Sequence, residues 1–425
     1  MTFNTIKSEL FPKNNSFHFN FICFLFLLIP VTLITGPALP DIFLTIIGIY
    51  FLLISFMKKK FHYYQNNFTY LFSLFCLYII IRGIFSEDPY SQLIDYNAPL
   101  FYFRYLFFVL GAWYLLDNNK ILIKYFFYIL FGVIIFTIFD GFIQWIFGKN
   151  LFGFTPTADR IPGIFNDEEI LGKFLAFVVP LAFGLMIYLK KITKKRIILF
   201  MFFLIICEVF IFITHDRAAL LRIVQFTILL IFLSNHFKLF RIISFCVSIL
   251  LISIIIYSSP KSQLRYSNTI TEVSSTKIPY MPWTPVHEKH FGLAYSFFEE
   301  NPFFGKGPQY FKVLCIENPK LDGCIAHPHN FYFQTLGELG LIGISFLILG
   351  FCYILIILLK QFHHVWFKKN LRTNLPDHLI ALYSLVFIFL WPVIPNVSFY
   401  NNHFNVMMYL TIPFLIYFRS LSRNS

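Results

Sequence analysis

The stretch CIAHPHNFYFQTLGELGLIGISFLILGFCYILIILL, residues 324–359, decides the fold. Its last 21 residues, from Leu339 to Leu359, hold no charged side chain. That is about the length an α-helix needs to cross the ~30 Å hydrocarbon core of a bilayer. Inside lipid every backbone N–H and C=O must find a partner, which leaves helices and closed barrels. Barrel strands would alternate apolar and polar residues, and this run does not. It reads as a membrane-spanning helix with polar residues gathered at its entrance.

Comparable runs recur along the chain. Of 425 residues, 58% are hydrophobic and 13% charged, and the mean hydropathy is +0.69. A soluble domain is about a quarter charged. Twelve spans are expected, near 20–36, 41–57, 68–86, 98–116, 121–147, 170–189, 197–213, 218–234, 242–258, 331–359, 379–395 and 405–418. The chain is therefore an all-α polytopic integral membrane protein, a single multi-spanning domain over residues 1–425. One long loop, about 259–330, is inserted between spans 9 and 10 and contains short helices. Within it VHEKHFGLAYSFFEE (286–300) has helical spacing and reads as an amphipathic helix at the membrane surface.

The net charge of +13 points at first to nucleic acid. Its placement says otherwise, because 20 of the 34 Lys and Arg fall in the two tails, the 117–124 turn, KKK (58–60), KKITKKR (190–196), KLFR (238–241) and KQFHHVWFKKNLR (360–372). All lie on one side of the expected spans. By the positive-inside rule that side is the cytoplasm, with both termini, and the long loop is periplasmic. Nucleic acid is not an expected partner, and membrane lipids are. In an oxidising outer compartment Cys315 and Cys324, both in the long loop, favour a disulfide. Cys23, Cys76, Cys207, Cys246 and Cys352 lie in apolar runs and read as core residues.

Three outward segments carry the remaining chemistry: TPTADRIPGIFNDEEILG (155–172), THDRAALL (214–221) and the long loop. Arg217 lies at a span boundary, where a charge costs a few kcal/mol and marks a functional candidate. Arg104 is expected in a structural ion pair with Asp95 or Asp140. His329 has the side chain whose ordinary pKa suits proton removal near neutrality. With it stand His327, Asn330, Gly340 and Gly343. Four zinc ligands from Cys315, Cys324, His327 and His329 would need spacings unlike common structural sites, and no metal is expected.

His-Asn (329–330), nine residues, then Gly-x-x-Gly (340–343) resembles the signature of the O-antigen ligase and O-antigen polymerase superfamily, closer to the ligases. NPFFGKGPQYF (301–311), GIFNDEEILG (163–172) and HDRAALL (215–221) are similar to further segments of that family, in the same order. The resemblance covers about residues 130–350. It implies a glycosyltransferase that moves a glycan from undecaprenyl diphosphate to lipid A–core or to another lipid-linked glycan at the periplasmic face of the inner membrane, without a cofactor. His329 matches the family's essential histidine and Arg217 its span-edge arginine. Many members have a further arginine where this chain reads HEKHF (287–291), so that arginine is missing; Lys289 or Arg265 is expected in its place.

A diphosphate leaves without a general acid if its growing charge is stabilised, and guanidinium forks suit phosphate oxygens. Arg160 and Arg217 are the expected clamps, with His329 as base. The outward cations Lys149, Lys173, Lys261 and Lys277 would attract an anionic donor. A transporter would show inverted repeats or helices broken at the midplane, and the sequence displays neither.

Overall fold

The structure, a computed structural model, describes residues 9–10, 16–95, 98–156, 160–189, 193–236, 238–367 and 374–424. Fifteen helices follow one another: α1 Phe17–Thr32, α2 Ala38–Met57, α3 Asn67–Ile84, α4 Arg104–Asn118, α5 Ile121–Phe147, α6 Leu171–Leu189, α7 Lys194–Ile213, α8 Arg217–Leu233, α9 Lys238–Ser258, α10 Pro260–Ser274, α11 Pro285–Glu300, α12 Tyr310–Glu317, α13 Phe331–Phe367, α14 Asp377–Phe389 and α15 Asn402–Asn424. The described residues contain no strand.

Side-chain caps explain many of the helix starts. Asn66 Oδ1 accepts from Thr69 N, Asp216 Oδ1 from Ala219 N, and Asn330 Oδ1 from Tyr332 N, at 2.8–3.1 Å. Each satisfies a backbone donor that the first turn leaves open. Gly148, at φ 73°, ends α5 in the left-handed region.

Among the described residues, nine helices are long and apolar enough to cross a membrane: α2 to α7, α9, α13 and α15. The other three expected spans form shorter helices, α1 with 16 residues, α8 with 17 and α14 with 13. The expected count of twelve is thus not reached by helices of full spanning length. At 1.5 Å per residue α14 extends only about 20 Å, and an irregular segment (390–401) completes its course. Large apolar side chains such as Ile49, Leu53, Ile249, Leu250, Leu349 and Ile356 point outward, as lipid-facing helices require. Two cysteines read as core, Cys246 and Cys352, lie on this outer surface.

Helices α2 and α4 pack closely because each presents a glycine to the other: a Cβ on Gly111 would lie 2.9 Å from the Ile47 carbonyl, and one on Gly48 3.2 Å from Phe107 Cβ. Arg104 pairs with Asp41, Nε to Oδ1 at 3.0 Å, and neither with Asp95 nor with Asp140. The α2–α4 contact brings the first turns of the two helices side by side, whereas Asp140 is engaged by Leu151 N and Asn150 Nδ2 at 3.0 and 3.2 Å.

Helix α13 is broken. Gly340, at φ 64° and ψ −164°, separates helical residues 331–339 from 341–367. The break lies in the first quarter of the helix, near the long loop. The sequence reading anticipated no broken helix. The cause is segment 301–307, which enters the gap and supplies partners: Leu341 N donates to Pro302 O at 2.9 Å, Lys306 N to Gly337 O at 3.0 Å. A side chain on Gly340 would overlap the Phe303 carbonyl.

Candidate active site

The histidine loop is built between α11 and the start of α13. Cys315 and Cys324 are joined by a disulfide, with Cα atoms 5.2 Å apart, fixing α12 to the chain just before His327. The two sulfurs bind each other, which removes two of the four zinc ligands considered above. Asn330 caps α13 through Oδ1, while its Nδ2 donates to Pro392 O at 2.7 Å. Tyr332 Oη donates to Leu390 O at 2.5 Å, and Asn396 N to His329 O at 2.6 Å. His329 is thereby held at φ 55°, a left-handed backbone that costs an L-residue about 1–2 kcal/mol. Strain of this kind persists where surrounding contacts over-determine it, and it gathers at functional sites.

Three more histidines surround His329. Ring centroids lie 4.4 Å away for His327, 5.4 Å for His287 and 5.8 Å for His290. Two of their tautomers follow from backbone partners. Thr284 N–H donates to His287 Nδ1 at 3.2 Å, so in the neutral ring the proton sits on Nε2. His290 Nδ1 donates to Gly323 O at 2.7 Å, so in the neutral ring Nε2 carries the lone pair. Among the described residues no group of three or more His, Cys, Asp or Glu is arranged to hold a metal ion.

Burial pushes the His329 imidazole down to about 3, assisted by His327, His287, Lys173 and His290. His327 and His287 fall to about 4, again chiefly through burial. Charging any of these rings would place a cation in a partly dry site beside other cations. His329 is therefore neutral at pH 7, with a lone pair available.

The arginines approach from the neighbouring segments. Arg217 opens α8, and its Nη1 reaches Glu272 Oε2 at 2.8 Å and Thr269 Oγ1 at 3.1 Å, tying α10 to the bundle. It is also an electrostatic neighbour of His287. Arg160 pairs with Glu169 at 3.1 Å. The two arginine segments touch, since Ile161 N donates to Thr214 O at 3.4 Å. Gly172 lets α6 meet the start of α8: a Cβ there would lie 2.6 Å from Thr214 Oγ1. The next residue, Lys173, is an electrostatic neighbour of His329, His327 and Arg160. No hydrogen bond or ion pair joins the Lys173 ammonium to another described residue.

Lys289 lies elsewhere: it is exposed and pairs with Asp322 at 3.0 Å. Arg265 belongs to α10, next to Tyr266, whose ring stacks on Phe212 at 5.0 Å. Gly343 sits within the continuous part of α13, against Leu339.

Residues 202–348 match the family model described as O-Antigen ligase. No curated protein matches the chain. The matched segment runs from within α7 into α13 and holds Arg217, Arg265, Lys289, the disulfide and the histidine loop. It supports the O-antigen ligase superfamily for this multi-pass membrane protein, and with it a membrane enzyme whose substrates are lipid-linked glycans in general. Arg160 and Lys173 lie outside the ligase-family segment, as do Pro392 and Asn396.

Sequence reasoning placed Lys173 only among outward cations and gave His287 and His290 no role beside His329. Arg222 escaped it altogether. The signal for Arg222 was present: a second arginine five residues after Arg217, inside an apolar helix.

Proposed function

We propose that the chain transfers a glycan from undecaprenyl diphosphate to lipid A–core, with inversion at the anomeric carbon. The acceptor hydroxyl oxygen forms the new bond to that carbon as the bond to the diphosphate oxygen breaks. The hydroxyl proton passes to neutral His329, and undecaprenyl diphosphate leaves with the bonding pair. Arg217 and Arg160 bind the diphosphate, with Lys173 as a further cation next to the histidines. His327, His287 and His290 keep the base uncharged until it accepts the proton. The distribution of basic segments supports cytoplasmic termini and a histidine loop at the periplasmic face of the inner membrane.

What supports this reading is one observation: a strained, neutral histidine stands in a ligase-family segment, with Lys173 among its electrostatic neighbours and with Arg217 beside His287. The test is the surface-glycan size ladder of a deletion strain. Loss of all polymer from lipid A–core supports a ligase. A single repeat left on the core makes the chain a polymerase of the same superfamily, and an unchanged ladder overturns both.

A further inference from the structure

Arg222 lies five residues beyond Arg217 in α8 and is 1% exposed. No carboxylate forms an ion pair with it among the described residues. Its Nη2 donates to Pro395 O at 2.6 Å and to Asn396 Oδ1. Nε and Nη1 have no hydrogen-bond partner among the described residues. Burying a guanidinium with so few partners is costly, and an ionisable group inside a membrane protein marks function by default. Both acceptors belong to the irregular segment after α14. That same segment takes Asn330 Nδ2 at Pro392 O, and returns Asn396 N–H to His329 O at 2.6 Å. One residue, Asn396, thus touches both Arg222, through its side chain, and His329, through its backbone.

We infer that Arg222 is a positioning residue for His329, acting through Asn396, and that it does not bind the donor. This rests on the reading of His329 as base. The guanidinium fixes the Asn396 side chain, which orients the Asn396 amide toward His329 O and keeps that residue left-handed. The imidazole is then aimed by its backbone rather than by a carboxylate partner. Displacing such a base by about 1 Å costs up to roughly 100-fold in rate.

The test uses full-length protein in lipid nanodiscs, with Arg222→Met, Asn396→Leu, the double variant and Asn396→Asp. Two quantities are read: transfer from a lipid-linked glycan, with donor affinity measured separately, and the rate at which diethyl pyrocarbonate modifies His329. Peptide mass spectrometry gives the modification rate, with exposed His18 as internal reference. Arg222→Met and Asn396→Leu are expected to lower kcat by about 10- to 100-fold, leave donor affinity unchanged and alter the modification rate at His329. The double variant is expected to be no worse than the poorer single one, because both break the same link. Asn396→Asp keeps an acceptor for Arg222 and is expected to restore most of the rate, which a loss of folding would not allow.

A fall in donor affinity with Arg222→Met would make the arginine a donor ligand and overturn the inference. Wild-type modification of His329 in both single variants would overturn it as well. If His329→Ala itself retains transfer, the base reading fails, and the modification rates still decide whether Arg222 sets the histidine.

Discussion

The amide of Gly307 donates to the carbonyl of Glu338 at 2.7 Å, across the break in α13. Glu338 answers with its side chain: the carboxylate accepts from Gln309 N at 3.0 Å and from Phe311 N at 3.3 Å. The Pro-x-x-Gly-x-Gly segment and the Gly-x-x-Gly signature are therefore one structural unit, each filling the other's open hydrogen bonds. Unpaired backbone at such a depth would cost several kcal/mol.

Gly340→Ala tests this unit. The new side chain meets the Phe303 carbonyl and would have to occupy φ 64° and ψ −164°, a region essentially reserved for glycine, costing about 1–3 kcal/mol for the backbone alone. Thermal unfolding in detergent is expected to show clear destabilisation. Gly350→Ala, where nothing lies within 4 Å of the added carbon, is expected to leave the midpoint unchanged or raise it slightly. Equal midpoints for the two variants would remove the break from the account.

His329→Ala is expected to lower transfer by about 10²- to 10⁴-fold, the usual worth of a general base. Expression and donor binding should stay near normal, because the imidazole acts on the acceptor. Arg217→Ala should weaken donor binding as well as transfer, since the charge it meets is present before and during reaction. Arg217→Lys should recover only part, a point charge being a poor copy of the fork. In vitro transfer with separately measured donor affinity distinguishes these outcomes.

The histidines predict a pH dependence. His329 at about 3, and His287 and His327 at about 4, all lie below the ordinary 6.5. In the unfolded chain these rings take protons as pH falls through 6.5, whereas in the folded chain they resist until near 3–4. Their contribution is thus fully present above the unfolded value and is lost progressively as the pH drops toward the folded values. The unfolding midpoint should fall between about pH 6.5 and pH 4, and His287→Asn should flatten that slope. Over the same range the transfer rate of enzyme that remains folded should show no acid limb near 6.5. A limb there would assign the base to an ordinary histidine.

Reduction tests the loop. The Cys315–Cys324 bridge spans nine positions, and closing so short a loop stabilises it by roughly 2–3 kcal/mol in the chain-entropy model. The double Ser variant is expected to be cut faster by protease within 315–330 and to lose transfer while its spans stay intact. Unchanged cleavage would show that other contacts, such as His290 with Gly323, are sufficient.

The membrane class was legible because long apolar runs have no soluble alternative. Arg217 and His329 could be singled out as candidates because polar residues are rare in such a chain and stand out at its span edges. The break at Gly340 was not: Gly-x-x-Gly reads equally well as a helix face until segment 301–307 is seen to fill the gap. Nor could spacing reveal that Arg104 meets Asp41, since their pairing depends on which helices pack. Arg222 and Asn396 are separated by nearly the whole second half of the chain, and only tertiary structure joins them.

Asn396 also has a consequence for timing. The ribosome finishes the whole ligase-family segment, histidine included, well before it reaches Pro392 and Asn396. During insertion the loop therefore waits without the contacts that hold His329 left-handed, and the active constellation closes only when one of the last helices, α14, is in place. An interrupted chain would carry every signature of the family and still lack a set histidine. On the proposed reading of His329, transfer competence would thus be acquired only late in biogenesis, with the segment that follows α14.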